Sequence, residues 1–558
     1  MTLLRKCLCV LVFASLVSLS SAAAAAPSTL SAGEAQAWRD DLHHLAAELP
    51  RRHKDFFHRT SRAEFDAAVG TLDSRIPALA RHQVIVEFAR LVAMGPDGHT
   101  AISGLLYDSP ARFRYLPIGL YLFRDGLYIY AADPKYAQAV GARVIRIGNL
   151  PAADAVKAVA PLIPRDNAMA IKERAPLYLE CPEILHALGL VADMERVPFT
   201  VEKGGRQMKI ELVPSPSPKP TKDNWALGQR FSKLDGWIDA RAAAPTPLWL
   251  RDPTSYFWST YLDDDRTLYA QYNEVADKPD ETVARWVDRI REVLRTKPVE
   301  RFVLDLRWNT GGNNYLNKPL LLALIKSEKV NQPGRLFAII GRRNFSAAQN
   351  LVNDLDKYTD ALFVGEPTAG NPNFFGDPTS ITLPHSRLVV RASTLWWQDV
   401  DPRSRKPWTG PDLAVELSFT DYRDDRDPAL DLILRYKPER PLTERMLESF
   451  ARGDTAGAIR LYHAFRADPV NAYAETEGAM NGLGYKLLGE RKAEEAIAVF
   501  RLNTESYPQS PNTFDSLGEA YLAKGDRTHA VESYRKVLEL DPNNGNAAEV
   551  LRRLATGN

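Results

Sequence analysis

The sequence predicts an α/β protein with a helical N-terminal segment, a β-rich insert and an all-α tail. Three observations carry that prediction. Residues 298–368 alternate short apolar strands with helical stretches, the pattern of parallel strands joined by right-handed crossovers. Residues 115–214 carry short strands separated by glycine turns. Near the C-terminus, Leu483, Gly484, Ala496, Phe500 and Pro508 recur as Leu517, Gly518, Ala530, Tyr534 and Pro542, an offset of roughly 34 residues.

At 558 residues the chain is too long for one ordinary core. Its 71 basic and 70 acidic side chains nearly cancel, which gives no electrostatic case for a nucleic-acid partner. Residues 1–26 are expected to be a signal peptide. Arg5 and Lys6 supply the positive start, Leu8 to Leu19 the apolar segment, and Ala22–Ala26 the A-x-A cleavage sites. The apolar stretch is short for a spanning helix, and nothing later in the chain is longer. An exported protein is expected, periplasmic or extracellular, without a stable membrane anchor. Removal of Cys7 and Cys9 would leave Cys181 alone, hence no internal disulfide.

Residues 31–114 form the N-terminal helical part. Trp38, Leu42, Leu45 and Leu49 fall at helical spacing, as do Val84, Phe88 and Leu91. The segment runs into MGPDGHT, a turn-rich stretch that carries His99. Residues 115–214 follow, with hairpins expected across Asp125-Gly126 and Gly204-Gly205. GARVIRIGNLPA between them reads as strand–turn–strand before a helix. Residues 215–240 form a linker, opened by the proline-rich stretch PSPSPKPTKDN at 214–224. Residues 241–440 hold the α/β core and 446–558 the repetitive tail, where GDTAGAIRLYHAF marks a degenerate third repeat.

In open α/β sheets function gathers at the carboxyl ends of the strands. VERFVLDLRW ends in the glycine turn Gly311-Gly312, and RLFAIIG ends shortly before Ser346. Ser346 and Gln349 form S-x-x-Q, a capping box at a helix start. A nucleophilic serine would need, in addition, a base and an oxyanion site. Glycine lets backbone approach closely, so Gly311 and Gly312 are candidates for the second. Around Ser346 there is neither G-x-S-x-G nor S-x-x-K. No H-E-x-x-H, paired C-x-x-C or other metal-spaced cluster occurs, so neither metal nor cofactor is expected. The adjacent His43 and His44 would project from different faces of a helix. His99 stands apart because it sits in a turn rather than on a helix face.

Three ordered blocks, VLDLRWNTGGNN, GRRNFSAAQNLVNDL and VGEPTAGNPNFFGD, resemble the tail-specific serine peptidase family, which includes the C-terminal processing peptidases and the tricorn core. The resemblance extends over roughly residues 85–437. It implies a crotonase/ClpP-like α/β core, and residues 115–214 look like a PDZ-like domain inserted in it. The tail resembles tetratricopeptide repeats, which implies a protein-docking surface or a structural cap. Matched to the family's motifs, Ser346 is the nucleophile, and Gly311, Gly312 and Ala347 surround the oxyanion amides. The position of the lysine used by one branch of the family is Asn371, which cannot serve as a base. The other branch uses a histidine in a short motif matched by DGHT, which makes His99 the base. Where that branch has a serine before the histidine, this chain has Gly98. Asp97, Glu366, Asp399 and Asp412 are then the acids available to orient His99.

The function this implies is an exported serine peptidase acting on peptides or proteins through a Ser-His mechanism. The alternatives are an inactive peptide- or ligand-binding protein on the same scaffold and a hydrolase of small amides or esters. The distance between His99 and Ser346 separates the two enzyme readings from the binding protein, and only the PDZ-like insert and the repeat tail favour peptides over small amides or esters.

Overall fold

Serines followed three residues later by glutamate open the first two helices. Ser31 caps Ala32–Arg52 and Ser61 caps Arg62–Arg75, each in a reciprocal capping box with Glu34 or Glu64. With Arg81–Val92 these helices bury the periodic apolar face, including Leu42, Leu45, Leu49, Val84 and Phe88. The computed structural model describes residues 30–106, 110–215, 231, 236–241 and 245–556. The expected signal peptide (1–26) and most of the expected linker (215–240) lie outside the described residues.

The strands are, in chain order, β1 (Ala101–Ile102), β2 (Ile118–Phe123), β3 (Gly126–Ala132), β4 (Arg143–Ile147), β5 (Leu150–Pro151), β6 (Val197–Lys203), β7 (Arg206–Leu212) and β8 (Ile238–Asp239). They continue as β9 (Phe257–Leu262), β10 (Thr267–Tyr272), β11 (Arg301–Asp305), β12 (Leu336–Ile340), β13 (Leu362–Gly365), β14 (Asn373–Thr382), β15 (Val389–Gln398) and β16 (Leu413–Ala414). Hairpins β2–β3 and β6–β7 turn at the two predicted glycine-containing turns and share one antiparallel sheet with β4.

A six-stranded sheet runs in the order β16-β13-β12-β11-β10-β9. Its β10–β11, β11–β12, β12–β13 and β13–β16 pairs are parallel, and only the edge strand β9 is antiparallel to its neighbour. Each parallel step from β10 to β13 crosses over through a helix: Val283–Thr296, Lys318–Ile325 and Ala347–Tyr358. Residues of β10 to β12 are almost wholly buried, as a parallel sheet covered on its faces requires. Because β11 and β12 are neighbours, the turn after one and Ser346 after the other share a rim. A smaller antiparallel sheet, β1-β15-β14, stands beside that rim.

The tail is a row of helices, from Leu442–Ala451 and Thr455–Ala467 to Gly545–Thr556. Its repeat has a steric basis. A Cβ on Gly484 would lie 2.4 Å from the Phe500 ring, and one on Gly518 would lie 2.8 Å from the Tyr534 ring. Each repeat thus presses an aromatic ring onto a glycine of the preceding helix, which keeps both positions in step along the sequence. The tail meets the core through Lys406–Glu475 (2.5 Å) and the Trp408–Tyr473 ring contact. Among the described residues, no helix is long and apolar enough to cross a membrane.

Trp286, on the crossover between β10 and β11, is fully buried and stacks on Phe257 with ring centroids 4.9 Å apart. Trp286→Ala is expected to lower the stability of the core by about 3–5 kcal/mol, read as a shifted denaturant midpoint. A loss under about 1 kcal/mol would mean that the sheet face is not packed as described.

Candidate active site

Ser346 occupies the position before the helix Ala347–Tyr358 with φ 56° and ψ −130°. This is a conformation that L-residues other than glycine rarely adopt, at a cost of order 1–3 kcal/mol. The predicted capping box is absent: the Ser346 side chain makes no cap hydrogen bond. Gln349 instead donates to Asn353 Oδ1 (2.8 Å) and Thr409 Oγ1 (3.0 Å). Positive φ at Ser346 takes its side chain out of capping geometry and leaves the hydroxyl on the wall of a cavity of ≈ 950 Å³.

The strain is held in place by Asn344, which is fully buried. Its Nδ2 donates to the carbonyls of Leu306 (2.6 Å) and Asn309 (3.1 Å), and its Oδ1 accepts from Gly341 N–H (2.7 Å). Its carbonyl accepts the amides of Ala369 and Gly370, each at 3.0 Å. One side chain therefore ties the segment after β11 to the segment after β12. Asn309, also buried, extends the tie by donating to the Tyr272 carbonyl (2.9 Å).

This brace sets Gly311 against Ser346. A Cβ on Gly311 would sit 2.7 Å from Ser346 Cβ and 2.9 Å from the Ala347 nitrogen. Only a glycine fits, and its φ of 112° points the same way. The Gly311 amide, expected among the oxyanion donors, is already committed to Asn309 Oδ1 (2.9 Å). No acceptor within the described residues takes the Gly312 or the Ala347 N–H. Both residues line the cavity with Ser346. The N-terminal end of the helix adds its positive dipole to Ala347.

His99 lines the same cavity. Its ring stacks on Phe345, the residue before Ser346, with centroids 4.2 Å apart and planes at 30°. Phe374 flanks it at 6.0 Å and 14°. The structure thus brings His99 and Ser346 to one cavity, without a direct hydrogen bond between them. Burial lowers the imidazole pKa to about 4, opposed by the Asp97 charge and assisted by Arg391 and Arg174. The ring is therefore neutral at pH 7.

Asp97, Glu366, Asp399 and Asp412 were expected to supply the acid that orients His99, and none is hydrogen-bonded to its ring among the described residues. Asp97 is fully engaged elsewhere. It accepts from the His99 and Thr100 amides, from Thr100 Oγ1, from Ser393 Oγ (2.7 Å) and from buried His53 Nε2 (2.7 Å). Burial works to raise its pKa, but the His53 bond and the other partners hold it below the ordinary value. Asp97 thus shapes the backbone of the turn. Glu366 forms a two-pronged pair with Arg342 (2.7 and 2.5 Å) and a further bond with Lys172. Asp399 accepts from Asn350 and Asn353, and Asp412 accepts the Phe363 amide.

Sequence reasoning missed four contributors: Asn344, Phe345, His53 and Asp166. Buried Asp166 accepts the amides of Gly98 (2.8 Å) and Asn371 (3.2 Å), and burial raises its pKa to about 7. It joins the His99 turn to the segment that carries Asn371. Gly98 also has a reason: a Cβ there would meet the Phe345 ring at 2.9 Å. The absence of a side chain at Gly98 leaves room for the ring that stacks on His99. Asn344 and Phe345 lay inside the block that drew attention to Ser346, whereas His53 and Asp166 carry no signal in their own neighbourhoods.

Among the described residues, no group of His, Cys, Asp and Glu side chains is placed to hold a metal ion. What the arrangement can do is carry a proton between a neutral imidazole and a hydroxyl beside two unused amides. Asn344→Ala would leave several buried carbonyl and amide groups without partners, and is expected to cost about 2–4 kcal/mol of stability. Denaturant unfolding checks this, and a change below about 1 kcal/mol would show that the brace is dispensable.

Residues 512–544 match the tetratricopeptide repeat family. Among solved structures, a serine-to-alanine mutant of CPAF aligns with 73% of this chain and 99% of its own, at 11% identity and a TM-score of 0.50. Mature CPAF complexed with lactacystin aligns with 70% of this chain and 95% of its own, at 12% identity and a TM-score of 0.49. The photosystem II D1 C-terminal processing protease aligns with 73% of this chain and 97% of its own, at 13% identity and a TM-score of 0.32. The chain is thus similar in fold to CPAF and carries a tetratricopeptide repeat in its tail.

Proposed function

We propose that the protein is a serine peptidase in which Ser346 is the nucleophile and His99 the general base. The observation that carries the reading is the packing of Gly311 onto Ser346 and Ala347, which sets the unused Gly312 and Ala347 amides beside a strained, uncapped serine. Neutral His99 accepts the Ser346 proton as Oγ attacks a peptide carbonyl. The two amides hold the tetrahedral oxyanion. His99 then returns the proton to the leaving amine, and the acyl-enzyme remains. Water, deprotonated by His99, attacks the ester, and the carboxylic acid leaves as Ser346 regains its proton. A hydrogen bond to the Phe375 backbone, together with stacking between Phe345 and Phe374, holds the imidazole ring in place. A hydrogen bond that is open before substrate binds is compatible with this role, since such bonds commonly tighten in the complex.

Within the same reading, the core is of the crotonase/ClpP-like type and residues 115–214 are a PDZ-like domain that holds a peptide. The tetratricopeptide tail docks a protein partner, and the protein works outside the cytoplasm after its signal peptide is removed.

Labelling the full mature chain with a fluorophosphonate tests the chemistry. Rapid modification at Ser346 is expected, abolished by Ser346→Ala and reduced at least about a hundredfold by His99→Ala. A folded wild type that stays unlabelled would favour the inactive binding protein. The pH dependence follows from the lowered imidazole pKa. The base is competent when neutral, so the acid limb of labelling or of kcat/KM should fall near pH 4. An ordinary histidine would give an acid limb near about 6.5. Activity that is already lost at pH 6 would show that a group other than this buried ring carries the proton.

A further inference from the structure

Residues 406–410, KPWTG, run as an irregular strap between the tail and the wall of the cavity that holds Ser346. On its outer side the strap meets the tail. The Tyr473 ring stands edge-on to Trp408 with centroids 6.2 Å apart, and Glu475 pairs with Lys406 at 2.5 Å. Gly410 lies so close that a Cβ there would sit 3.1 Å from Tyr473 Cβ. The tail in turn fixes the loop that carries these residues. Tyr507 Oη accepts the Thr476 amide (2.7 Å), and Arg466 Nη1 donates to the Ala474 carbonyl (3.1 Å).

On its inner side the strap meets the site. Trp408 packs against Met169, Ala170 and Ala369, and the last two line the cavity with Ser346. The Thr368 amide donates to the Thr409 carbonyl, and the Thr409 amide to Thr368 Oγ1, both at 3.1 Å. Thr409 Oγ1 accepts from Gln349, on the first turn of the helix that follows Ser346 (3.0 Å). Asn167, which caps the helix Ala168–Leu179, donates to the carbonyls of Pro407 (2.6 Å) and Thr368 (3.1 Å). Ala369 and Gly370, next in the chain after Thr368, are the residues whose amides complete the Asn344 brace.

We propose that the tail is a working part of the active site, and that Tyr473 and Trp408 are positioning residues through which it holds the strap against residues 368–370 and the helix behind Ser346. The proposal rests on the peptidase reading for the rate it affects. A stretch without ladder hydrogen bonds opens locally at little cost unless packing covers it. Trp408 is only half-buried with the tail in place, and Tyr473 is the ring on its outer side. Loss of that cover frees the strap to shift, and residues 369–370 and Gln349 shift with it. A misplacement of about 1 Å at the reacting groups costs up to about a hundredfold in rate. The tail thus acts on the serine without touching it.

The test uses the full chain and the saturation kinetics of fluorophosphonate labelling at Ser346. Tyr473→Ala is expected to lower the maximal labelling rate about tenfold or more, with the half-saturating concentration unchanged. Tyr473→Phe, which keeps the ring, should label within about twofold of the wild type. Tyr485→Ala, at an exposed tail residue bonded to Ser516 and Glu519 rather than to the core, should do the same. Gly410→Ala pushes strap and tail apart without removing a group, so it carries the test if Tyr473→Ala does not fold, and a lower maximal rate is expected from it too. Hydrogen exchange at the amides of 368–370 reads the coupling without catalysis. It is expected to quicken at least about tenfold in Tyr473→Ala, while the helix Ala493–Ser506 keeps its wild-type protection. Labelling and exchange unchanged in Tyr473→Ala and Gly410→Ala would overturn the proposal. So would an equal loss in Tyr473→Phe or Tyr485→Ala, or a loss that only follows the fraction of folded chain. A wild type that does not label overturns the peptidase reading instead, and the exchange rates then decide by themselves whether the tail positions the strap.

Discussion

The site depends on one buried amide. Asn344 bonds the carbonyls beyond β11 and the amide beyond β12, and so fixes the separation of two neighbouring strand ends. Parallel strands leave their last backbone groups unpaired at that rim, and in a buried region those groups must find partners. The same side chain that satisfies them pins the loop carrying Ser346. The serine can then be kept in a costly conformation because its surroundings leave no cheaper one. Gly311 completes the arrangement by contact, since no larger residue could approach Ser346 and Ala347 so closely.

A second layer of buried polar groups positions the base. Asp97 and Asp166 accept the backbone amides of Gly98, His99, Thr100 and Asn371 and the side chains of His53, Thr100 and Ser393. These carboxylates shape the turn, and two aromatic rings with the Phe375 backbone orient the imidazole. Proton affinity and ring direction are therefore set by different parts of the structure. Burial dominates the first, and the Phe375 backbone hydrogen bond with stacking against Phe345 and Phe374 sets the second.

The α/β class, the β-rich regions and the helical tail were legible because each rests on local periodicity. The strand–helix alternation between Val299 and Glu366 needs only apolar patterning, and the tail needs only the recurrent contact of Gly484 with Phe500 and of Gly518 with Tyr534. The Ser346 cap was misread because S-x-x-Q describes a helix start with ordinary backbone, and a positive φ at that residue has no signature in the sequence. Of the acids offered for His99, Asp97 was chosen by nearness in the chain, and Glu366, Asp399 and Asp412 on the condition that the fold brings them near. Asp97 turned out to serve backbone, and Glu366 to neutralise Arg342 and Lys172. Asp166 and His53 reach the site only through the fold, from loops far away in the chain. No local pattern could have found them.

The most direct measurement is a crystal structure of the full chain after reaction with a fluorophosphonate. The account predicts a phosphonyl group on Ser346 Oγ, with one phosphoryl oxygen within about 2.7–3.1 Å of both the Gly312 and Ala347 nitrogens, and the His99 ring, still stacked on Phe345, facing Oγ. A phosphonyl oxygen turned away from both amides, or an adduct on another side chain, would contradict it.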